Sequence, residues 1–181
     1  LRHLLDPQRK HNHSVVYLFF TYAVTQAFAA IAAVRFEWNG HYMHIVRLGL
    51  IEVIFFIVII AGRILPFFAS VVLPGKKPKI FPRLEKSIVP FGFISLAVFA
   101  ASPYFPQGGK FAALLFLLTA VLHAVRWFFW HPVATLRIPI LGVLYLGYFW
   151  LIAGFVLLSI ASMGWMSLSP AWHMLGIGAG G

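Results

Sequence analysis

Four groups of residues in this sequence have types and spacings suited to chemistry. His173-Met174 leads into a glycine-rich stretch. Imidazole is the usual axial ligand of haem and a good copper ligand, and thioether sulfur suits Cu(I). His41-Tyr42-Met43-His44 packs two imidazoles and a thioether into four residues, a composition that suits copper. Glu52 and Arg63 interrupt one long apolar run, VRLGLIEVIFFIVIIAGRILPFF. They are eleven positions apart, so they share a helical face yet lie about 16 Å apart along the axis and need separate partners. His123 and Arg126 sit close together near the end of another apolar run.

Each group also has a plainer reading. Arg63 either meets a carboxylate such as a haem propionate or snorkels to the membrane surface from a helix end. Arg126-Trp127 has the composition of an ordinary interfacial anchor. His173 could be an interfacial histidine bonded to a loop, and His41 with His44 a solvated pair. His123 could be a metal or haem ligand, or form a structural hydrogen bond to a neighbour such as Tyr145. His3, His11, His13 and His131 lie in basic polar segments and read as solvated. Gly176, Gly178 and Gly181 superficially suggest a dinucleotide fingerprint, but no strand precedes them. Gly176 and Gly180 instead make a GxxxG pair that lets helices approach closely.

The elements that must position these groups are membrane helices. The chain is 61% hydrophobic and 10% charged, with mean hydropathy +0.91, against about 25% charged residues in a soluble domain. Runs of about 20 apolar residues span a bilayer as helices. The expected fold is all-α, a polytopic transmembrane helix bundle forming a single domain over residues 1–181. It has five complete spans, near 15–34, 45–65, 88–101, 111–130 and 138–163, and a truncated sixth that begins at Pro170. Pro66 is expected to kink or end the second span, and Pro90 fits the first turn of the third. The residues between, 64–87, read as a basic, proline-rich loop. Without cysteine, a metal or haem must use His, Met, Tyr or carboxylate. The net charge of +10 is read as topology and contact with anionic membrane lipid, not as nucleic-acid binding.

Eleven basic residues fall with the N-terminal tail, the 64–87 loop and the 130–137 loop, and three with the other side. The first side is therefore expected to be cytoplasmic. Helix depth makes a Glu52–Gln26 contact a candidate pairing, and brings His123 level with Tyr145.

Four segments resemble the NnrS family of bacterial membrane proteins. They are Ala61-Gly62-Arg63-Ile64-Leu65-Pro66-Phe67-Phe68, the pair Arg126-Trp127, the stretch PILGVLYLGYFWLIAG from Pro139 to Gly154, and AWHMLGIGAGG from Ala171 to Gly181. The resemblance covers most of the chain. It implies a haem- and copper-containing membrane protein linked to nitric oxide metabolism and nitrosative stress in bacteria that denitrify or meet nitric oxide. It also makes the chain look like an internal fragment of a longer protein. Tyr145 stands where family members often carry a histidine, so a metal site there would be altered.

The leading expectation is thus a haem- and copper-associated protein of the inner (cytoplasmic) membrane that handles or senses nitric oxide, with a redox partner implied. His173 and His44 would be ligands, with His41 and Met43 beside His44, and Arg63 would hold a propionate. The competing expectation is a proton-coupled or small-molecule transporter using Glu52 and His123 as a relay. A third is a structural subunit whose polar groups only fix helix packing. The residues do not specify a reaction or an oligomeric state.

Overall fold

In hydrocarbon every backbone N–H and C=O must be satisfied within the segment, which leaves the helix as the natural form of these apolar runs. The computed structural model describes residues 13–34, 39–73, 75 and 77–178, with side chains except at 13, 14 and 39–41. All regular structure among the described residues is helical. The helices are α1 (His13–Val34), α2 (Asn39–Val72), α3 (Pro82–Ala101), α4 (Gly108–Phe128), α5 (Pro132–Thr135), α6 (Pro139–Ser162) and α7 (Ser169–His173), which continues as a π-helical segment, Met174–Gly178. Five of them are long and apolar enough to cross a membrane: α1, α2, α3, α4 and α6. The protein is a multi-pass membrane protein.

The chain forms two compact units, Leu1–Ile59 and Ile60–Gly181, whose boundary falls within α2. In the first unit α1 turns a stripe inward. Leu18, Ala29 and Ala32 are buried, and Thr21 and Thr25 fall on the same i, i+3/i+4 stripe. Phe19 meets Phe56 edge to face, with centroids 5.4 Å apart.

In the second unit α4 is the central rod. Its buried stripe contains Ala112, Ala113, Phe116, Thr119, Ala120, His123 and Arg126. The small residues let neighbouring backbones approach, as membrane helices require in the absence of a hydrophobic force between them. Polar ties then fix the helices: Ser95 Oγ lies 3.2 Å from Thr119 Oγ1, joining α3 to α4. Ser159 Oγ donates to the carbonyl of Ala113 at 2.7 Å, joining α6 to α4. The segment after α6 folds back on it. A Cβ at Gly154 would lie 2.5 Å from Leu175 Cδ2, and one at Gly178 would lie 3.0 Å from Trp150 Cβ. These glycines are where the last segment beds onto α6.

Several sequence expectations change. Pro66 does not end its helix, because α2 continues to Val72. Proline is tolerated inside membrane helices where neighbouring groups satisfy what it frees. Pro90 lies inside α3, and Pro82 takes the first-turn position instead. The described part of the 64–87 loop outside helices therefore shrinks to residues 73, 75 and 77–81. His41-Tyr42-Met43-His44 is helical, at the start of α2, not a loop. The 130–137 loop contains the short helix α5. The N-terminal tail with His3 and His11 and the Gly180 end of the GxxxG pair lie outside the described residues.

Because Gly154 leaves room for only Leu175, Gly154→Leu should dislodge the 169–178 segment from α6. Overpacking of this kind costs about 1–3 kcal/mol. The check is thermal unfolding in detergent, in which Gly154→Leu melts lower and Gly176→Ala, with open space around it, melts like wild type.

Candidate functional site: a buried arginine and its polar chain

Arg126 ends the buried stripe of α4 and is 5% exposed, so it is not an interfacial anchor as its sequence context suggested. A buried guanidinium requires a partner, because removing it from water costs several kcal/mol. The partner is Glu85, in the first turn of α3. Arg126 Nε donates to Glu85 Oε1 at 2.8 Å, and Nη2 donates to Oε2. The two parallel bonds are the fork geometry that suits arginine to carboxylate. The remaining faces are also engaged. Nη1 donates to Tyr148 Oη at 3.2 Å, and the guanidinium carbon lies 4.8 Å from the Trp130 ring centroid, a cation–π contact.

Gly62 on α2 completes the pocket. A side chain there would overlap the Arg126 guanidinium. Pro66, four residues on, has no N–H, so the Gly62 carbonyl lacks its helical donor. The Gly62-x-x-x-Pro66 spacing therefore does two things at one place. It removes a side chain, and it frees a carbonyl beside a group that carries only donors.

The chain of polar groups runs on. Tyr148 Oη lies 2.7 Å from His123 Nδ1. Since arginine only donates, the arrangement that uses every group has the phenol donate to His123 Nδ1. The sequence placed Tyr145 opposite His123, but Tyr145 donates instead to the carbonyl of Trp130 at 3.0 Å. Tyr148 is one turn further along the same face of α6. The His123 ring stacks on Phe155 at 5.8 Å and 9°. Phe155 stacks on Phe116, Phe116 meets Phe99, and Phe99 meets Trp172. A column of rings thus joins the ion pair to the residue before His173. Trp172 Nε1 is buried without a hydrogen-bond partner among the described residues.

His173 is exposed at the junction of α7 and the π-helical segment. Such bulges are frequent at functional sites. Its Nδ1 lies 2.8 Å from the carbonyl of Ser169, with Ser169 Oγ at 3.4 Å. A carbonyl accepts only, so Nδ1 carries the proton and Nε2 keeps its lone pair. Arg63, next to Gly62, is exposed on α2, nine residues before its end. It is not at a helix terminus, as the shorter second span implied.

In the first unit Glu52 is 2% exposed. Thr25 Oγ1 donates to its Oε1 at 3.1 Å, and Oε2 has no partner among the described residues. The expected partner, Gln26, lies instead over Gly49, with its Nε2 2.5 Å from where a Cβ would be. Thr25 replaces it because threonine and glutamate need only one turn of shared depth, and Gln26 is rotated about 100° away. His41 and His44 are now one helical turn apart and share a face, whereas Met43 does not. Met43 is exposed and His44 half-buried, and the His41 side chain lies outside the described residues. No group of three or more His, Asp or Glu side chains able to hold a metal occurs among the described residues.

Glu85, Tyr148 and Trp130 were missed from the sequence. Glu85 was assigned to a loop, yet Pro82 followed by an acidic residue three positions later is a helix-start pattern. The chain has only four acidic residues, Asp6, Glu37, Glu52 and Glu85, so a membrane-embedded arginine had few partners available.

Fold and site together define a polytopic helical membrane protein whose second unit closes around a buried arginine paired with a half-buried glutamate. A family model described as NnrS protein matches residues 1–181, and the chain belongs to the NnrS family. No curated protein and no solved structure matches.

Removing Glu85 leaves a buried cation, so Glu85→Ala should destabilise by about 3 kcal/mol. Arg126→Ala should cost a similar amount. The double variant should cost at least about 1 kcal/mol less than the sum, as read from a double-mutant cycle of unfolding midpoints. Gly62→Ala should act like a partial Arg126 loss.

Proposed function

We propose that this chain is a haem- and copper-associated NnrS-type protein of the bacterial inner membrane that handles nitric oxide or the response to it. The family match supports this reading, and one local observation carries it to a residue. The Ser169 carbonyl fixes the tautomer of His173, leaving Nε2 of an exposed imidazole open for a metal. Carbonyl-oriented histidine is the usual arrangement for a metal-bound ring. His173 would hold the haem iron, and Arg63 would meet a propionate. Bound haem would supply an iron that binds nitric oxide or exchanges an electron with a redox partner. The chain's own part is to orient the imidazole through Ser169 and to brace its helix through the Trp172 column.

His123 fits a cofactor less well, because its Nδ1 is taken by Tyr148 and the ring is 1% exposed. Copper would rest on His41 and His44, with Met43 and His173 as further candidates. Two imidazoles one turn apart fall short of a complete set, so copper supplies no part of the proposed chemistry. In this reading the N-terminal tail and the 73–81 and 130–137 segments face the cytoplasm, where basic residues concentrate.

Glu52 favours a second reading, proton-coupled or small-molecule transport. An intramembrane carboxyl with one oxygen unbonded among the described residues is a functional candidate by default. His123, in the other unit, would be a separate relay group within its own hydrogen-bonded chain.

The two readings separate in one set of measurements. Protein purified from haem-replete bacterial membranes should show a Soret band that is lost or shifted in His173→Ala and retained in His123→Ala. An unchanged band in His173→Ala removes the assignment. Uptake into vesicles that vanishes in Glu52→Gln, by a protein without haem, would establish transport instead.

A further inference from the structure

A cleft of about 850 Å³ opens where the second unit's helices end. It lies between the stretch after α2 and the turn that joins α4 to α5 and α6. Leu73, Trp127 and Phe129 supply apolar wall, and Lys79, His131 and Arg137 supply basic groups. Its walls are pinned to each other. Lys79 N–H donates to the carbonyl of Phe129 at 3.1 Å, and His131 Nε2 lies 3.3 Å from the carbonyl of Lys77. Phe81 meets Phe129 edge to face at 4.8 Å. His131, read from the sequence as merely solvated, is the one described non-glycine residue with positive φ, at 58°. A left-handed backbone at such a residue is uncommon and persists only where the surroundings impose it.

Among the described residues the charge of the cleft is uncompensated. Of the four acidic residues, Glu85 is committed to Arg126 and Glu52 accepts from Thr25. Asp6 and Glu37 lie outside the described residues. Among the described residues no carboxylate meets Lys79 or Arg137.

We propose that this cleft is a binding site for an anionic phospholipid, its phosphate held by Lys79 and Arg137 and its acyl chains laid along Trp127 and the exposed face of Phe128. The position at the ends of three membrane spans puts headgroup and hydrocarbon at the depths these walls offer. Basic pockets between membrane helices bind anionic headgroups in this way. A soluble anion would have no use for the apolar wall.

The test uses the protein reconstituted in phosphatidylcholine vesicles containing increasing brominated phosphatidylglycerol, with tryptophan quenching as readout. Quenching should exceed that by brominated phosphatidylcholine and saturate at low mole fraction. Lys79→Gln and Arg137→Gln should each weaken the apparent affinity about fivefold, with helix content unchanged by circular dichroism. Lys86→Gln, basic and exposed but outside the cleft, should leave it unchanged. Quenching linear in mole fraction, or an equal loss in Lys86→Gln, would overturn the site. Competition by millimolar inorganic phosphate would assign the cleft to a soluble anion and overturn the lipid reading.

Discussion

A guanidinium held inside a membrane protein governs how the rest of the second unit is built. Arg126 cannot shed its charge, and neither lipid nor an apolar core will accept it unpaired. Each neighbour is explicable as an answer to that constraint. Glu85 at the start of α3 supplies the countercharge, and Tyr148 on α6 supplies an acceptor. Trp130 offers a ring face, and α2 gives up a side chain at Gly62. Four elements are thereby held at one point by groups that have no alternative partner of equal worth. The pair fixes which helices meet more than it adds net stability, since burying the guanidinium is itself expensive.

The same point explains why the four segments that resemble the NnrS family occur together. Gly62 touches Arg126, Arg126 touches Tyr148, and Trp127 Nε1 donates to the carbonyl of Tyr145 at 3.1 Å. Further along α6, Gly154 and Trp150 receive Leu175 and Gly178. Each segment meets the next, so the family signature within the second unit is a chain of contacts from the ion pair to the His173 segment. Tyr145 spends its hydroxyl on the backbone of Trp130, a structural use.

The aromatic column gives this chain mechanical meaning. His123, Phe155, Phe116, Phe99 and Trp172 are stiff, with few torsions to adjust. They connect the polar chain at one end of α4 to the short helix that presents His173. A histidine on so short an element gains definition from such packing and from its bond to Ser169. The unpartnered Trp172 indole N–H is the remaining unsatisfied group in that region among the described residues.

Composition and apolar run length alone determined the membrane class, the number of long spans and most of their boundaries, because each reflects a local requirement of hydrocarbon. Spacing also identified Glu52 and Arg63 as groups that needed partners and His123 and His173 as candidate ligands, whereas Arg126 read as an interfacial anchor. What it left open was who those partners are. Depth counting places a residue along its helix to within a turn, but pairing depends on rotation about the axis, where one residue is about 100°. Hence Thr25 rather than Gln26 for Glu52, and Tyr148 rather than Tyr145 for His123. Proline rules were similarly local: Pro66 and Pro90 read as ends, and only packing decided that the helices continue. The Arg126–Glu85 pair joins positions 41 residues apart. Only the tertiary fold decides that contact, because no sequence period connects them and the desolvation that makes it obligatory arises when the helices close.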